Sequence, residues 1–222
     1  MTDPIEVIRE VGVVPVITID QGCDVVALAD ALLEGGLPIA EITFRTEAAA
    51  DAIAKMQDAR PNLCVGAGTI LTQSNLERAI ASGAAFGLAP GFDANIVDAA
   101  QSLGLPFYPG IMTPSELSSV AARGIGLVKF FPADVAGGTR ALSSISTPFA
   151  HLDISFVATG GVTEATIGDW LALKPVIAVG GTWIARAEDI RAGRFDVISK
   201  KSAAAVRVAK EALDKRQSAM PS

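Results

Sequence analysis

Eight short apolar runs, most of them rich in β-branched residues, recur along this chain, and segments of helical periodicity lie between them. In one such segment Val25, Leu28 and Leu32 repeat at intervals of three and four, which places them on one face of a helix. Because the runs do not alternate with polar residues, we expect strands buried on both faces, as in a parallel sheet covered by helices. The runs are residues 13–17, 39–44, 63–65, 85–88, 106–108, 126–131, 154–158 and 176–179.

Eight strand and helix units in succession predict an α/β fold, a closed (β/α)8 TIM barrel with an N-terminal helix. A doubly wound open sheet is the alternative, but residues 18–22 lack the Gly-x-Gly-x-x-Gly pattern that such sheets carry after their first strand. Helix starts are predicted at Asp3-Pro4 and at 113–116, where a capping residue precedes proline. With no linker or internal repeat, we expect a single domain over residues 1–222.

The composition excludes several classes of protein. Although 50% of the residues are hydrophobic, no stretch approaches the ~18 consecutive apolar residues of a membrane helix, so we expect a soluble protein without a membrane partner. The 18 basic and 24 acidic residues give a net charge of −6, the wrong sign for a nucleic-acid binder.

Cysteine and histidine usage favours a reducing compartment and argues against a metal site. Cys23 and Cys64 stand far apart and form neither a CxxC motif nor a disulfide framework. The chain contains one histidine, His151, which excludes a multi-histidine metal centre. The acidic start of the chain lacks the basic and apolar regions of a signal peptide. These features together predict a cytoplasmic protein.

A lysine interrupts the apolar run 126–131. Period-two alternation places Leu127, Lys129 and Phe131 on one face, which directs the amine toward the barrel interior. Burial disfavours the charged ammonium and favours a free amine, which can attack a ketone as a Schiff-base lysine does. The alternative is a lysine that reaches solvent at the strand end or pairs structurally with a carboxylate. The other lysines, such as those at 200–201, fall in helical or loop segments typical of a solvated face.

The second run carries two charges, because Glu41, Thr43 and Arg45 share one of its faces. Reacting groups lie at the C-terminal strand ends of a TIM barrel, so we expect the carboxylate and the guanidinium in one pocket. A structural ion pair, between these two or with Lys129, is one interpretation. The functional interpretation makes Glu41 a general acid or base and Arg45 a bidentate donor to a substrate carboxylate. The interior Lys129 favours the functional interpretation.

Glycine pairs follow the last two runs, at 160–161 and 180–181. Either pair alone could form a plain tight turn, but both together favour a phosphate site, which recurs after the seventh and eighth strands of TIM barrels. Paired glycines let the backbone approach an anion, and we expect a helix N-terminus to follow each pair and contribute. The third run continues into VGAGT at 65–69, where the hydroxyl of Thr69 can contact a substrate carboxylate or carbonyl.

With these residues identified, the chain from residue 13 to residue 206 resembles the class I 2-keto-3-deoxy-6-phosphogluconate (KDPG) aldolase family. The matching segments are VPVI at 14–17, EITFRTE at 41–47, VGAGT at 65–69, APG at 89–91, PGI at 109–111, VKFFPA at 128–133, TGG at 159–161 and GGTW at 180–183.

The resemblance implies Lys129 as the Schiff-base nucleophile and Glu41 as the proton shuttle. It also implies a small phosphorylated sugar acid as substrate, cleaved to pyruvate and glyceraldehyde 3-phosphate without a metal or organic cofactor, and a homotrimer. Cleavage of 4-hydroxy-2-oxoglutarate stays open. The implied substrate-binding residues are Arg45 and Thr69 on the pyruvyl carboxylate, Pro90 and Phe131 lining the pocket, and Gly160, Gly161, Gly180, Gly181 and Thr182 on phosphate.

Two positions depart from the family pattern, which often has serine at Thr182 and proline at Ala158. Threonine keeps the hydroxyl, so we expect a modest change in phosphate affinity and the same reaction. Residues 44–46 look more like the phosphogluconate branch than the phosphogalactonate branch, whose epimeric substrate stays an alternative.

Three further functions stay open. An isomerase or epimerase would use Glu41 as base and Lys129 as an electrostatic clamp. A non-catalytic phosphate-binding barrel would use neither, although buried charges are costly to keep without a role. Metal-dependent aldol cleavage would have to rely on carboxylate ligands alone.

Overall fold

The computed structural model describes residues 3–218, and each of the eight predicted runs overlaps a strand, while one further short strand lies at 110–111. Every registered strand pair is parallel. The strands are β1 Val13–Ile17, β2 Ile39–Thr43, β3 Cys64–Gly68, β4 Gly87–Leu88, β5 Phe107–Tyr108, β6 Gly110–Ile111, β7 Leu127–Phe130, β8 Ser155–Thr159 and β9 Val176–Gly181.

Helices connect these strands and cover the sheet. Two 3-10 helices, Thr147–Leu152 and Glu164–Thr166, lie before β8 and after it. The α-helices are α1 Pro4–Val11, α2 Val25–Glu34, α3 Ala49–Ala59, α4 Gln73–Ala81, α5 Ala94–Ser102, α6 Pro114–Ala121, α7 Gly138–Ser146, α8 Ile167–Leu171, α9 Ala187–Arg191 and α10 Phe195–Ser218. Among residues 3–218, no helix combines the length and the hydropathy needed to cross a membrane.

The sheet closes into the predicted (β/α)8 barrel. Its strand order is β5-β4-β3-β2-β1-β9-β8-β7-β6, and the two end strands are consecutive in the chain on either side of Pro109. The fifth strand position thus consists of β5, within the expected run 106–108, and the unexpected β6, and the two are separated at Pro109 because proline has no N–H to donate to the ladder. The Pro109 carbonyl still accepts a hydrogen bond of 2.9 Å from the Lys129 backbone N–H.

Burial follows the sequence pattern. All positions of β1 and β2 are buried, as expected for strands covered on one face by helices and filled on the other by the barrel core. Val25, Leu28 and Leu32 form the buried face of α2. The predicted helix starts are confirmed, since the Asp3 side chain accepts from the Ile5 N–H at 3.0 Å and a capping box forms at 113–116.

Candidate active site

Lys129 and Glu41 meet in the middle of the barrel. They lie on β7 and β2, which stand on opposite sides of the closed sheet. The Lys129 Nζ donates to both carboxylate oxygens, at 3.0 Å to Oε1 and 3.2 Å to Oε2. Lys129 is 5% exposed and Glu41 is 2% exposed. The inward orientation expected for the lysine is therefore present, and its partner is the predicted carboxylate.

A small cavity of about 90 Å³ reaches Lys129 from the C-terminal ends of the strands. It brings together eight of the residues expected to form the site: Arg45, Lys129, Phe131, Gly160, Gly161, Gly180, Gly181 and Thr182. Val16, Thr159 and Val162 complete its lining. Three wider grooves of about 590 to 620 Å³ lie elsewhere on the described surface, and neither Lys129 nor Glu41 lines them.

Arg45 lies at this cavity with its side chain exposed. Among residues 3–218 it makes no ion pair, whereas Glu41 is paired with Lys129. The structural pair of Glu41 with Arg45 that the sequence left open is therefore not formed. A guanidinium without a protein partner can bind a carboxylate through two hydrogen bonds.

Phe131 flanks the amine. Its ring centroid lies 5.8 Å from the Lys129 Nζ, within the range of a cation–π contact. The same ring packs against Gly160, where a side-chain carbon would lie 3.1 Å from it. Phe131 thus separates the lysine from the glycine loop and forms part of the cavity wall.

Gly160 and Gly161 form a loop after β8, whereas Gly180 and Gly181 are the last residues of β9, and the helices expected directly after the two pairs are displaced. Gly160 and Gly161 have φ values of +99° and +82°, a region that side chains rarely allow. After them comes the 3-10 helix Glu164–Thr166, and after Gly181 the next helix begins only at Ala187. Both glycine pairs bring backbone to the cavity wall, and no α-helix begins directly after either pair.

Thr69 and Pro90 lie outside the residues that line this cavity. Thr69 directly follows Gly68, whose Cα lies beside the Glu41 carboxylate, and its φ of +60° is unusual for a β-branched residue. Pro90 follows β4, and its carbonyl packs against Gly110, the residue that pairs in register with Lys129. Thr69 and Pro90 therefore lie just after the C-terminal ends of the neighbouring strands β3 and β4.

Thr159 is a cavity residue that the sequence analysis did not single out. Its side chain is buried, and its Oγ1 has no hydrogen-bond partner among the described residues. A buried hydroxyl left without a partner is costly, and a substrate oxygen could satisfy it. The available signal was a polar residue at the end of the apolar strand β8, next to a glycine pair.

A metal ion in a protein is held by several ligand side chains that lie close together in space. Within residues 3–218, no group of three or more His, Cys, Asp or Glu side chains is placed to hold a metal ion. His151 lies exposed in the 3-10 helix Thr147–Leu152.

Fold and site together define a class of protein: a TIM-barrel enzyme that holds a buried lysine and a carboxylate beside a cavity lined by two glycine pairs. This is the arrangement that covalent catalysis through an amine requires.

Comparison with known proteins places the chain within this class. The family model described as KDPG and KHG aldolase matches residues 5–201, and the chain belongs to this aldolase family. The predicted family and the predicted class I aldolase are thus confirmed.

Relatives and solved structures agree with this assignment. The 2-dehydro-3-deoxy-phosphogluconate aldolase of Haemophilus influenzae is 40% identical over 196 residues, which are 88% of this chain and 92% of the relative. The KHG/KDPG aldolase of Escherichia coli K12 is 40% identical over 198 residues, 89% and 92% of the two chains. The KDPG aldolase of Legionella pneumophila, solved with pyruvate captured as a covalent carbinolamine, matches with a TM-score of 0.87 at 34% identity, covering 92% and 98% of the chains.

Proposed function

We propose that this chain cleaves KDPG to pyruvate and glyceraldehyde 3-phosphate through a Schiff base on Lys129. The observation that carries the proposal is the buried pair of Lys129 and Glu41, 3.0 Å apart, whose lysine lines a cavity together with an exposed arginine and two glycine pairs. Family membership and relatives named as KDPG aldolases at 40% identity support the same reaction.

The pair supplies both chemical functions of the reaction. Lys129 passes a proton to Glu41, and the free amine attacks the C2 carbonyl to give a carbinolamine. Glu41 then gives that proton to the carbinolamine hydroxyl, which leaves as water, so that an iminium forms and Glu41 is again a carboxylate. Glu41 then takes the proton of the C4 hydroxyl, the C3–C4 bond breaks, and its electron pair moves into the iminium as an enamine. The aldehyde leaves, Glu41 returns a proton to C3, and water hydrolyses the imine to release pyruvate and the amine.

The remaining residues bind the two charged ends of the substrate. Arg45 and Thr69 bind the carboxylate. Phe131 lines the pocket beside the pyruvyl group, and Pro90 packs next to it against Gly110, the register partner of Lys129. The backbone of the loop at 160–161 and of the end of β9 at 180–181 binds phosphate, with the exposed Thr182 hydroxyl. Binding at both ends aligns C2 with the amine, so that binding energy far from C2 lowers the barrier to reaction.

Borohydride reduction in the presence of pyruvate tests the proposal. We expect irreversible inactivation and the mass of one reduced pyruvate adduct on the peptide that contains Lys129. A protein that turns over substrate but stays unmodified would favour the isomerase or epimerase alternative.

Pyruvate release from separate substrates tests the specificity. We expect faster cleavage of the phosphogluconate than of the phosphogalactonate epimer. Cleavage of 4-hydroxy-2-oxoglutarate should be slower than that of the phosphogluconate, because it lacks the phosphate that the two glycine pairs would bind. Preference for the galactonate epimer would assign the chain to the other branch.

We also propose a homotrimer. Leu71, Met112 and Val135 are large apolar side chains that follow β3, β6 and β7, and their exposure of 55%, 46% and 80% suits an interface at this end of the barrel. Light scattering on the eluting protein would give three times the chain mass, and a single-chain mass would contradict the proposal.

A cytoplasmic location completes the proposal. It is supported by Cys23 and Cys64, which form no disulfide with each other. Cell fractionation with a tagged chain would test it, and recovery outside the cytoplasm would refute it.

A further inference from the structure

We infer that Gly68 is a positioning residue: its missing side chain gives the Glu41 carboxylate the room it needs to lie beside Lys129. The inference deepens the proposed function and rests on it for its kinetic test, while a second test uses stability alone.

The space beside Gly68 is filled by Glu41. A side-chain carbon built on Gly68 would lie 2.6 Å from Cγ and 2.7 Å from Cδ of Glu41, and it would overlap Oε1. Real side-chain carbons essentially never come within 3.0 Å of such neighbours. Alanine at position 68 is therefore incompatible with the observed position of the carboxylate.

Backbone conformation does not require glycine at this position. Gly68 is absent from the positive-φ glycines of the described chain, so an alanine backbone could adopt its conformation. The strand is also held in place, since Gly68 pairs in register with Thr43 and its carbonyl accepts from the Phe44 N–H at 2.8 Å. What the position requires is the absence of a side chain.

Glu41 has little freedom to move away. It is 2% exposed, both of its oxygens accept from Lys129, and the overlap involves Cγ as well as the carboxylate. A rotation that cleared the new methyl group would shift the carboxylate from the amine. Displacements of about 1 Å at a reacting group can lower turnover about a hundredfold.

The same strand offers a matched control in Gly66. It lies two residues earlier on the same face of β3, and a side-chain carbon there would overlap Cε2 and Cζ of Phe86 and lie 2.6 Å from its Cδ2. Phe86 is buried in the core and lines none of the site. Gly66 is the register partner of Glu41, but the atoms nearest to its added side-chain carbon all belong to Phe86. Gly66→Ala thus causes an overlap on the neighbouring position of the strand that is directed at Phe86 and not at the carboxylate.

The kinetic test compares Gly68→Ala with Gly66→Ala at a temperature where both are folded. We expect Gly68→Ala to lower kcat by about tenfold to a hundredfold with little change in KM, and to change the pH profile of kcat. Borohydride trapping of pyruvate on Lys129 should persist. In the Glu41→Gln background, Gly68→Ala should add little further loss, because the group it positions is already disabled. Gly66→Ala should keep the wild-type kcat and pH profile.

The stability test requires no activity and also covers a poorly folding Gly68→Ala. The decrease in melting temperature caused by Gly68→Ala is measured in the wild-type protein and in the Glu41→Ala variant, and the two decreases are compared. We expect a much smaller loss with Glu41→Ala, because the overlapping atoms are gone. Equal losses in both backgrounds, or a wild-type kcat in Gly68→Ala, would overturn the inference. A wild-type protein without aldolase activity would instead refute the proposed function and leave the stability comparison valid.

Discussion

Asp134 donates its backbone N–H to the carbonyl oxygen of Gly160 across 2.9 Å, which ties the turn after the lysine strand to the first glycine loop. Ala133 makes a parallel bond of 2.8 Å to Thr159. The segment that presents the amine and the loop proposed to bind phosphate are therefore held as one unit. A change in the loop should affect substrate binding at the phosphate end first.

Gly161→Ala tests this arrangement. The φ of +82° disfavours any side chain, and a methyl group would crowd Asp134, whose Cγ would lie 3.1 Å away. We expect KM for the phosphorylated substrate to rise about tenfold or more, while pyruvate trapping on Lys129 stays near wild type. Steady-state assays of Gly126→Ala provide the control, since a side-chain carbon added there would have no neighbour within 4 Å outside the adjacent residues. An unchanged KM in Gly161→Ala would argue against phosphate binding at this loop.

Separate substitutions of the buried pair should divide its two roles. Lys129→Met should abolish both the borohydride adduct and turnover, because no amine remains to form the iminium. Glu41→Gln should still form the adduct but lose about 10²-fold to 10⁴-fold in kcat, the usual range for a general acid or base. Mass spectrometry and pyruvate release measure the two effects. Turnover that survives Lys129→Met would exclude the Schiff-base route.

Arg45→Ala should weaken substrate binding without weakening the fold. The side chain is exposed and has no ion-pair partner among residues 3–218, so the free energy of unfolding should stay near wild type. Loss of the charged hydrogen bonds should raise KM about tenfold to a hundredfold. Arg45→Lys should restore part of the affinity, since an ammonium lacks the bidentate geometry. A large loss of stability would instead point to a structural role.

Asp189 is the buried carboxylate of a second charge cluster. It accepts from Lys201 at 2.7 Å and from Arg194 at 2.6 Å, so Lys201 does not lie on a solvated face as the sequence suggested. The hydrogen bonds from Lys201 and then Arg194 lower the pKa of Asp189 below its ordinary value of 3.8. A carboxylate whose pKa is lower in the folded than in the unfolded chain stabilises the fold at pH values above the unfolded-state pKa. This stabilisation is lost as the pH falls through the folded-state pKa.

We therefore expect Asp189→Asn to lower the free energy of unfolding by about 1–3 kcal/mol at neutral pH. The difference from wild type should shrink as the pH falls below about 4, because the unfolded chain binds the proton there while the folded carboxylate, with its lowered pKa, is protonated only at lower pH. Urea titrations across pH measure it. Asp196→Asn is the control, because its 3.2 Å pair with Lys200 is exposed and should contribute little. A difference that persists at acid pH would contradict the charge-based explanation.

Local patterns were sufficient for the strands, the helix starts and the inward lysine. Strand periodicity directs Lys129 inward because successive side chains alternate between faces, whatever the rest of the chain does. The caps at Asp3 and Thr113 depend on residues within one turn of the helix. Closure of the barrel is confirmed, although the break at Pro109 was not expected.

Contacts between distant segments were decided only by the tertiary structure. Lys129 and Glu41 are 88 positions apart and meet because eight strand positions close a ring that sets β7 opposite β2. The partner of Lys201 and the unpartnered hydroxyl of Thr159 depend on such packing as well. The sequence determined which chemical groups face the interior, since that depends on local geometry, whereas their distances and the space left by Gly68 depend on how the strands close.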